Sequence, residues 1–143
     1  TIDEMREDGI KIGVVGVHSF RPFPIAAIRR ALSHARRIIV LEKSLAIGIG
    51  GIVATDVRLA MDGLDTKIYT VVAGLGGRNI LRSSLHRVFR QATHDQLEPL
   101  HFLDLDWNSV NRELERERKS RRSGPIAENI LRDIGAVRSS SVG

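Results

Sequence analysis

Three stretches of this chain carry residue types at spacings that could do chemistry: Gly48-Ile49-Gly50-Gly51, Gly74-Leu75-Gly76-Gly77-Arg78 and the proline-bounded turn Arg21-Pro22-Phe23-Pro24. Glycines between a strand and a helix let backbone amides turn toward an anion, and the helix N-terminus adds positive potential there. Arg78 would add a fork able to grip a phosphate or carboxylate at two points. The same glycines also permit tight turns and close packing against a neighbouring subunit. Both readings stand for Gly74, Gly76, Gly77 and Arg78. The stretch 48–51 has no arginine and is the weaker anion candidate. Neither stretch has the GxGxxG spacing of a dinucleotide site or the Gly-Lys-Ser/Thr of a P-loop, so nucleotide binding has little support.

Other chemistries lack their residues. The chain contains no cysteine, which removes disulfides, thiolate nucleophiles and the usual ligands of iron–sulfur clusters and structural zinc. Its five histidines, His18, His34, His86, His94 and His101, include no pair four apart on a helix face, so no metal site is expected. No GxSxG elbow presents a serine, and the pair Asp104/Asp106 reads as solvated or capping. No catalytic residue is assigned.

A net charge of +5 would permit nucleic-acid binding, but residues 112–122 alone hold six basic and three acidic residues. That run interleaves Glu113, Glu115 and Glu117 and has no aromatic for base stacking. Neither nucleic acid nor membrane is expected as a partner, since no apolar stretch approaches a span of about 20 residues. A cytoplasmic location follows from the same features and from a charged first segment, unlike a signal peptide.

The elements that must position these residues are legible from periodicity. Residues 10–18 are near-continuously aliphatic, as expected of a strand covered on both faces, and so are 37–42 and 67–73. Val15 and Ile39 should then be fully buried. Residues 99–105 suit a short edge strand. Residues 1–8 read as the end of a helix stopped by Gly9, and a chain that opens in mid-helix without an initiator methionine is expected to be a fragment. Ile25, Ile28, Ala31, Leu32 and Ala35 mark a helix after the RPFP turn; others are expected after the glycine stretch 48–51, to about Met61, and from Ile80 to Ala92. Pro22 and Pro24 stiffen the turn at what should be the carboxyl end of the first strand, with Arg21 and Phe23 as its presentable side chains. Repeated strand–loop–helix units predict a three-layer, open, mostly parallel α/β sheet over residues 1–106. Residues 107–143 read as a helical docking extension, with a last helix through Ile126, Ile130, Leu131 and Ile134.

Taken together, strand-RPFP-helix, IIVLEKS-loop-GIGG-helix and strand-GLGGRN-helix resemble the transketolase C-terminal-like domain of the 2-oxoacid:ferredoxin oxidoreductases, at the end of their alpha subunit, over about residues 1 to 105. Asn79 stands where members often have aspartate. The resemblance implies an enzyme complex that splits a 2-oxo acid such as pyruvate on thiamine diphosphate with Mg, sends electrons through iron–sulfur clusters to ferredoxin and passes the acyl group to coenzyme A. It implies a non-catalytic assembly domain, partnered by beta, gamma and delta subunits, with no cofactor bound by this chain alone. Arg21, Pro22, Phe23 and Pro24 would then be subunit contacts. The equivalent domain of a 2-oxo acid dehydrogenase or transketolase, and a free-standing flavodoxin-like anion-binding module, are the alternatives.

Overall fold

Aliphatic runs become strands here only where a neighbour completes their hydrogen bonds. In the computed structural model, which describes residues 1–120, the runs Arg37–Glu42 (β1) and Lys67–Val72 (β2) pair in parallel, Arg37 opposite Lys67 through Glu42 opposite Val72. Leu100–Phe102 (β3) adds to the other side of β2, so the sheet runs β1-β2-β3 and β2 is central. The sheet and its helices make an α/β fold of the expected class.

The helices are Ile2–Glu7 (α1), Ile25–Leu32 (α2), Ile52–Ala60 (α3), Arg82–Thr93 (α4) and Trp107–Ser120 (α5). Strand alternation sends Ile38, Val40 and Ile68 to one face, where they pack with Ile28 of α2 and Ala54, Val57 and Ala60 of α3. Tyr69 and Val71 point the other way, onto Val88 and Ala92 of α4 and onto Leu97 and Leu103. Helices thus cover both faces of the sheet, which makes three layers. Arg29 donates to the carbonyls of Ala60 (2.9 Å) and Asp62 (2.8 Å) and ties α2 to the end of α3.

The largest correction concerns residues 10–18. They form no strand: they have no regular secondary structure and pair with no strand, with Val14 78%, Val15 45% and Val17 38% exposed. An aliphatic run records a need for cover on both faces, and among the described residues nothing supplies it. Gly13 and Gly16 further weaken the run as a strand, since they bring no side chain to pack. Val15 is therefore not a core residue. Ile39 is only half-buried, because β1 lies at the sheet's edge. The third strand is the short segment read as an edge strand.

The amino-terminal edge of the sheet is closed by charge. Asp95, at φ +56, accepts from Arg37 Nε (2.8 Å) and Nη2 (2.9 Å), from Lys67 Nζ (3.0 Å) and from the Tyr69 hydroxyl (3.2 Å). Arg37, with Lys67 and Tyr69 behind it, holds the Asp95 carboxyl well below the usual carboxylate range.

The chain divides into two compact units, Thr1–Asp104 and one that begins at Leu105. In the second, α5 starts at the Asp106 carboxylate, which accepts from the Ser109 hydroxyl (2.6 Å) and from the N–H groups of Asn108 (3.1 Å) and Ser109 (3.2 Å). These bonds, those of Ser109 first, lower the Asp106 pKa. Trp107 and Leu114 stand exposed on α5 among charged residues. The helix expected through Ile126 to Ile134 lies outside the described residues.

Candidate functional site

Because β1 and β2 are parallel and in register, the two glycine stretches leave the same carboxyl-terminal edge side by side. The Ala73 N–H donates to the Glu42 carbonyl at 2.9 Å, the last rung before both loops depart. They then do opposite things.

The loop after β1 is occupied by the chain's own carboxylate. Glu42, only 9% exposed, accepts from the N–H of Val53 at 2.9 Å and of Ala54 at 3.0 Å, two of the donors left free in the first turn of α3. Gly51, the residue before α3, is required by this arrangement: a Cβ there would sit 2.1 Å from Glu42 Oε1 and 2.6 Å from Thr70 Cγ2. Its φ of −69° is ordinary, so space rather than backbone conformation demands glycine. Two amides that could have faced an external group are thus already paired with an internal carboxylate. Beyond it, an Ala46–Gly50 bridge closes a tight loop that leaves Ile47 98% and Ile49 71% exposed.

The loop after β2 folds upon itself. Gly74, Gly76 and Gly77 all have positive φ (72°, 64° and 78°), and Leu75–Gly77 form a single 3-10 turn. The Gly77 and Arg78 amides bond back to Gly74 and Leu75 at 3.3 Å each. Arg78 is extended and lies four residues before α4, so loop and helix N-terminus do not form one cradle as the sequence suggested. Its Nη1 donates to the carbonyl of Asp104 at 2.5 Å, just past β3, while Arg87 takes the Asp104 carboxylate at 2.6 Å. Lys43 reaches across: its Cε is 3.2 Å from where a Cβ on Gly74 would stand.

The RPFP turn reaches this side of the domain by another route than the one expected. No strand precedes it. Instead α2 runs down to the start of β1, so its first residue, after Pro24, lies toward the sheet's carboxyl end. Arg21 is held rather than presented: Nη1 donates to Asp56 Oδ2 of α3 (2.7 Å) and to the Phe20 carbonyl (2.7 Å), and the guanidinium lies 4.1 Å from the centre of the Phe20 ring. Phe23 packs against the α2–α3 core and is not a free surface group either. Phe20 takes the exposed place that the sequence suggested for Phe23.

Sequence reasoning missed two partners that organise the site, Glu42 and Asp56. A signal existed for the first, a carboxylate ending an apolar strand just before a glycine loop and a helix. The pairing of Arg21 with Asp56, 35 residues away, has no local signature. The histidines stay apart: His86 Nε2 meets Glu4 at 2.7 Å, and among the described residues no three His, Asp or Glu side chains gather to hold a metal ion. No helix among them is long and apolar enough to cross a membrane.

Comparison with known proteins places these features in a family. The model of the pyruvate:ferredoxin oxidoreductase core domain II matches residues 1–85. Pyruvate synthase subunit PorA of Pyrococcus furiosus is 33% identical over 116 residues, 76% of this chain and 29% of that protein. PorA of Methanothermobacter thermautotrophicus is 30% identical over 95 residues (66% and 24%), and ketoisovalerate oxidoreductase subunit VorA of Pyrococcus horikoshii is 31% identical over 80 (54% and 20%). The chain spans about a quarter of the length of the curated relatives it matches. With the RPFP turn and the GLGGR loop both inside the α/β unit, the chain belongs to the pyruvate:ferredoxin oxidoreductase core domain II family.

Proposed function

We propose that this chain is a non-catalytic assembly domain of a cytoplasmic 2-oxoacid:ferredoxin oxidoreductase, the complex that converts a 2-oxo acid such as pyruvate to its acyl-CoA and reduces ferredoxin. The single observation that carries the reading is the family match over residues 1–85. It favours this enzyme class over a 2-oxo acid dehydrogenase, a transketolase or a free-standing flavodoxin-like module. Thiamine diphosphate, Mg, iron–sulfur clusters and coenzyme A would serve the whole complex. This chain has no cysteine to ligate a cluster, and among the described residues the acids and histidines assemble no cation site.

The work left to this domain is positioning. The carboxyl edge, with Ile47, Ile49, Leu75 and Arg78 exposed, is the surface that meets a neighbouring subunit, and the RPFP turn braces it by clamping α2 to α3. A contact surface is favoured over an anion site because the Val53 and Ala54 amides of α3 already serve Glu42 and the Gly77 and Arg78 amides bond within their own loop. Beta, gamma and delta subunits are the expected neighbours, and residues 107–143 form a separate docking extension.

The test is anaerobic purification of the tagged chain from its source. The expected result is a complex that contains iron and reduces methyl viologen with a 2-oxo acid and coenzyme A, while the chain purified alone does neither. A chain that elutes as a monomer without an iron–sulfur subunit would refute the assignment.

A further inference from the structure

A row of acids at α1 faces a row of bases on α4. Glu4 and Asp8 are four residues apart, and so are Arg82, His86 and Arg90, so each set lies along one helical face. One Glu4 oxygen meets the Arg82 guanidinium and the other lies 2.7 Å from His86 Nε2; Asp8 accepts from Arg90 Nη2 at 2.6 Å. The buried apolar contribution of α1 is a single residue, Met5, which has no exposed surface. α1 in turn holds the start of the unpaired aliphatic run. The Ile10 N–H donates to the Met5 carbonyl at 3.0 Å, and Arg6 Nε donates to the Ile12 carbonyl at 2.8 Å. The run therefore hangs from α1 and shares no ladder with the sheet.

We infer that this charge row is an ionic-strength-sensitive clasp that fixes where the run Ile10–Val17 leaves the domain. An exposed ion pair alone contributes little, but several in register on one short helix act as a network. A six-residue helix does not persist unsupported. Losing the row therefore releases α1, and with it the two hydrogen bonds that hold Ile10 and Ile12. The sheet, which takes no hydrogen bond from this arm, stays folded. The clasp thus separates the behaviour of the apolar run from that of the core.

Lys11 lies between the two tethered residues and reports on the arm, while Lys67, at the start of β2, reports on the sheet. The full chain is digested with a lysine-specific protease at low salt, and cleavage at each site is timed by mass spectrometry. Asp8→Arg sets like charges against each other at Arg90 and should speed cleavage at Lys11 several-fold without changing it at Lys67. The swap Asp8→Arg/Arg90→Asp should bring the Lys11 rate back near that of the parent chain. Neither change adds a lysine. Should the single variant fail to fold, salt decides: moving the parent chain from low to molar ionic strength, where the screening length falls to about 3 Å, should speed Lys11 cleavage several-fold and spare Lys67. An unchanged Lys11 rate in the folded single variant, a swap no better than the single, or indifference to salt would overturn the inference and leave Met5 as the anchor.

Discussion

Two glycine loops leave neighbouring strands at the same edge of one sheet, and Gly51 of the first is glycine for a reason that Gly76 and Gly77 of the second are not. After β1, Gly51 is needed for space, because the Glu42 carboxylate and Thr70 occupy the place of a side chain. After β2, Gly76 and Gly77 have nothing within 4 Å of a would-be Cβ and are needed for their positive φ. The first loop is built around a buried polar bond, the second around a backbone turn. Gly48 and Gly50 share the positive φ of the second loop (82° and 97°), so the packing demand is particular to Gly51, and in each stretch two amides are already paired, Val53 and Ala54 with Glu42, Gly77 and Arg78 within their own turn.

Substitution separates the two cases. Gly51→Ala drives a methyl into Glu42 and Thr70 and should cost about 3 kcal/mol by overpacking, the largest effect, read from urea or thermal unfolding. Glu42→Ala removes the acceptor from the Val53 and Ala54 amides and should cost about 2 kcal/mol, through two buried donors left unpaired. Gly76→Ala meets open space and suffers only the left-handed backbone penalty of about 1 kcal/mol. If it proved as costly as Gly51→Ala, the contrast between the loops would be wrong. Arg78→Ala is the smallest: the side chain is exposed, so stability should change by no more than about 0.5 kcal/mol. Its effect should appear in assembly with the partner subunit, measured by co-elution, and not in binding of phosphate or coenzyme A. Tight coenzyme A binding lost in that variant would turn the second loop back into an anion site.

Much of the fold was legible because it depends on local pattern. The β-branched run at 67–72 asks for cover on both faces, the helical spacing of Val57 and Ala60, or of Val88 and Ala92, asks for it on one, and each is met. The run at 10–18 was misread because an apolar stretch states what it must bury and not which strand it joins; pairing is a non-local property. The site was legible as far as its loops. Its partners were not, because Glu42 capping α3 and Arg21 clamping Asp56 join residues 11 and 35 positions apart through tertiary packing alone. Phe23 was placed outside for the same reason: a phenylalanine between two prolines looks presented until α2 and α3 close beneath it.

The exposed aliphatic run and the open side of β1 also govern how copies of the chain behave toward one another. An edge with unmet backbone groups, and with it the exposed side chains of Val14, Val15 and Leu41, is adhesive between molecules. A net charge of +5 on every copy opposes that adhesion, but over no more than about 10 Å at 0.1 M salt. The colloidal state is thus set by the buffer: the chain should stay dispersed in dilute solution and cluster as the ionic strength is raised, with the sheet still folded.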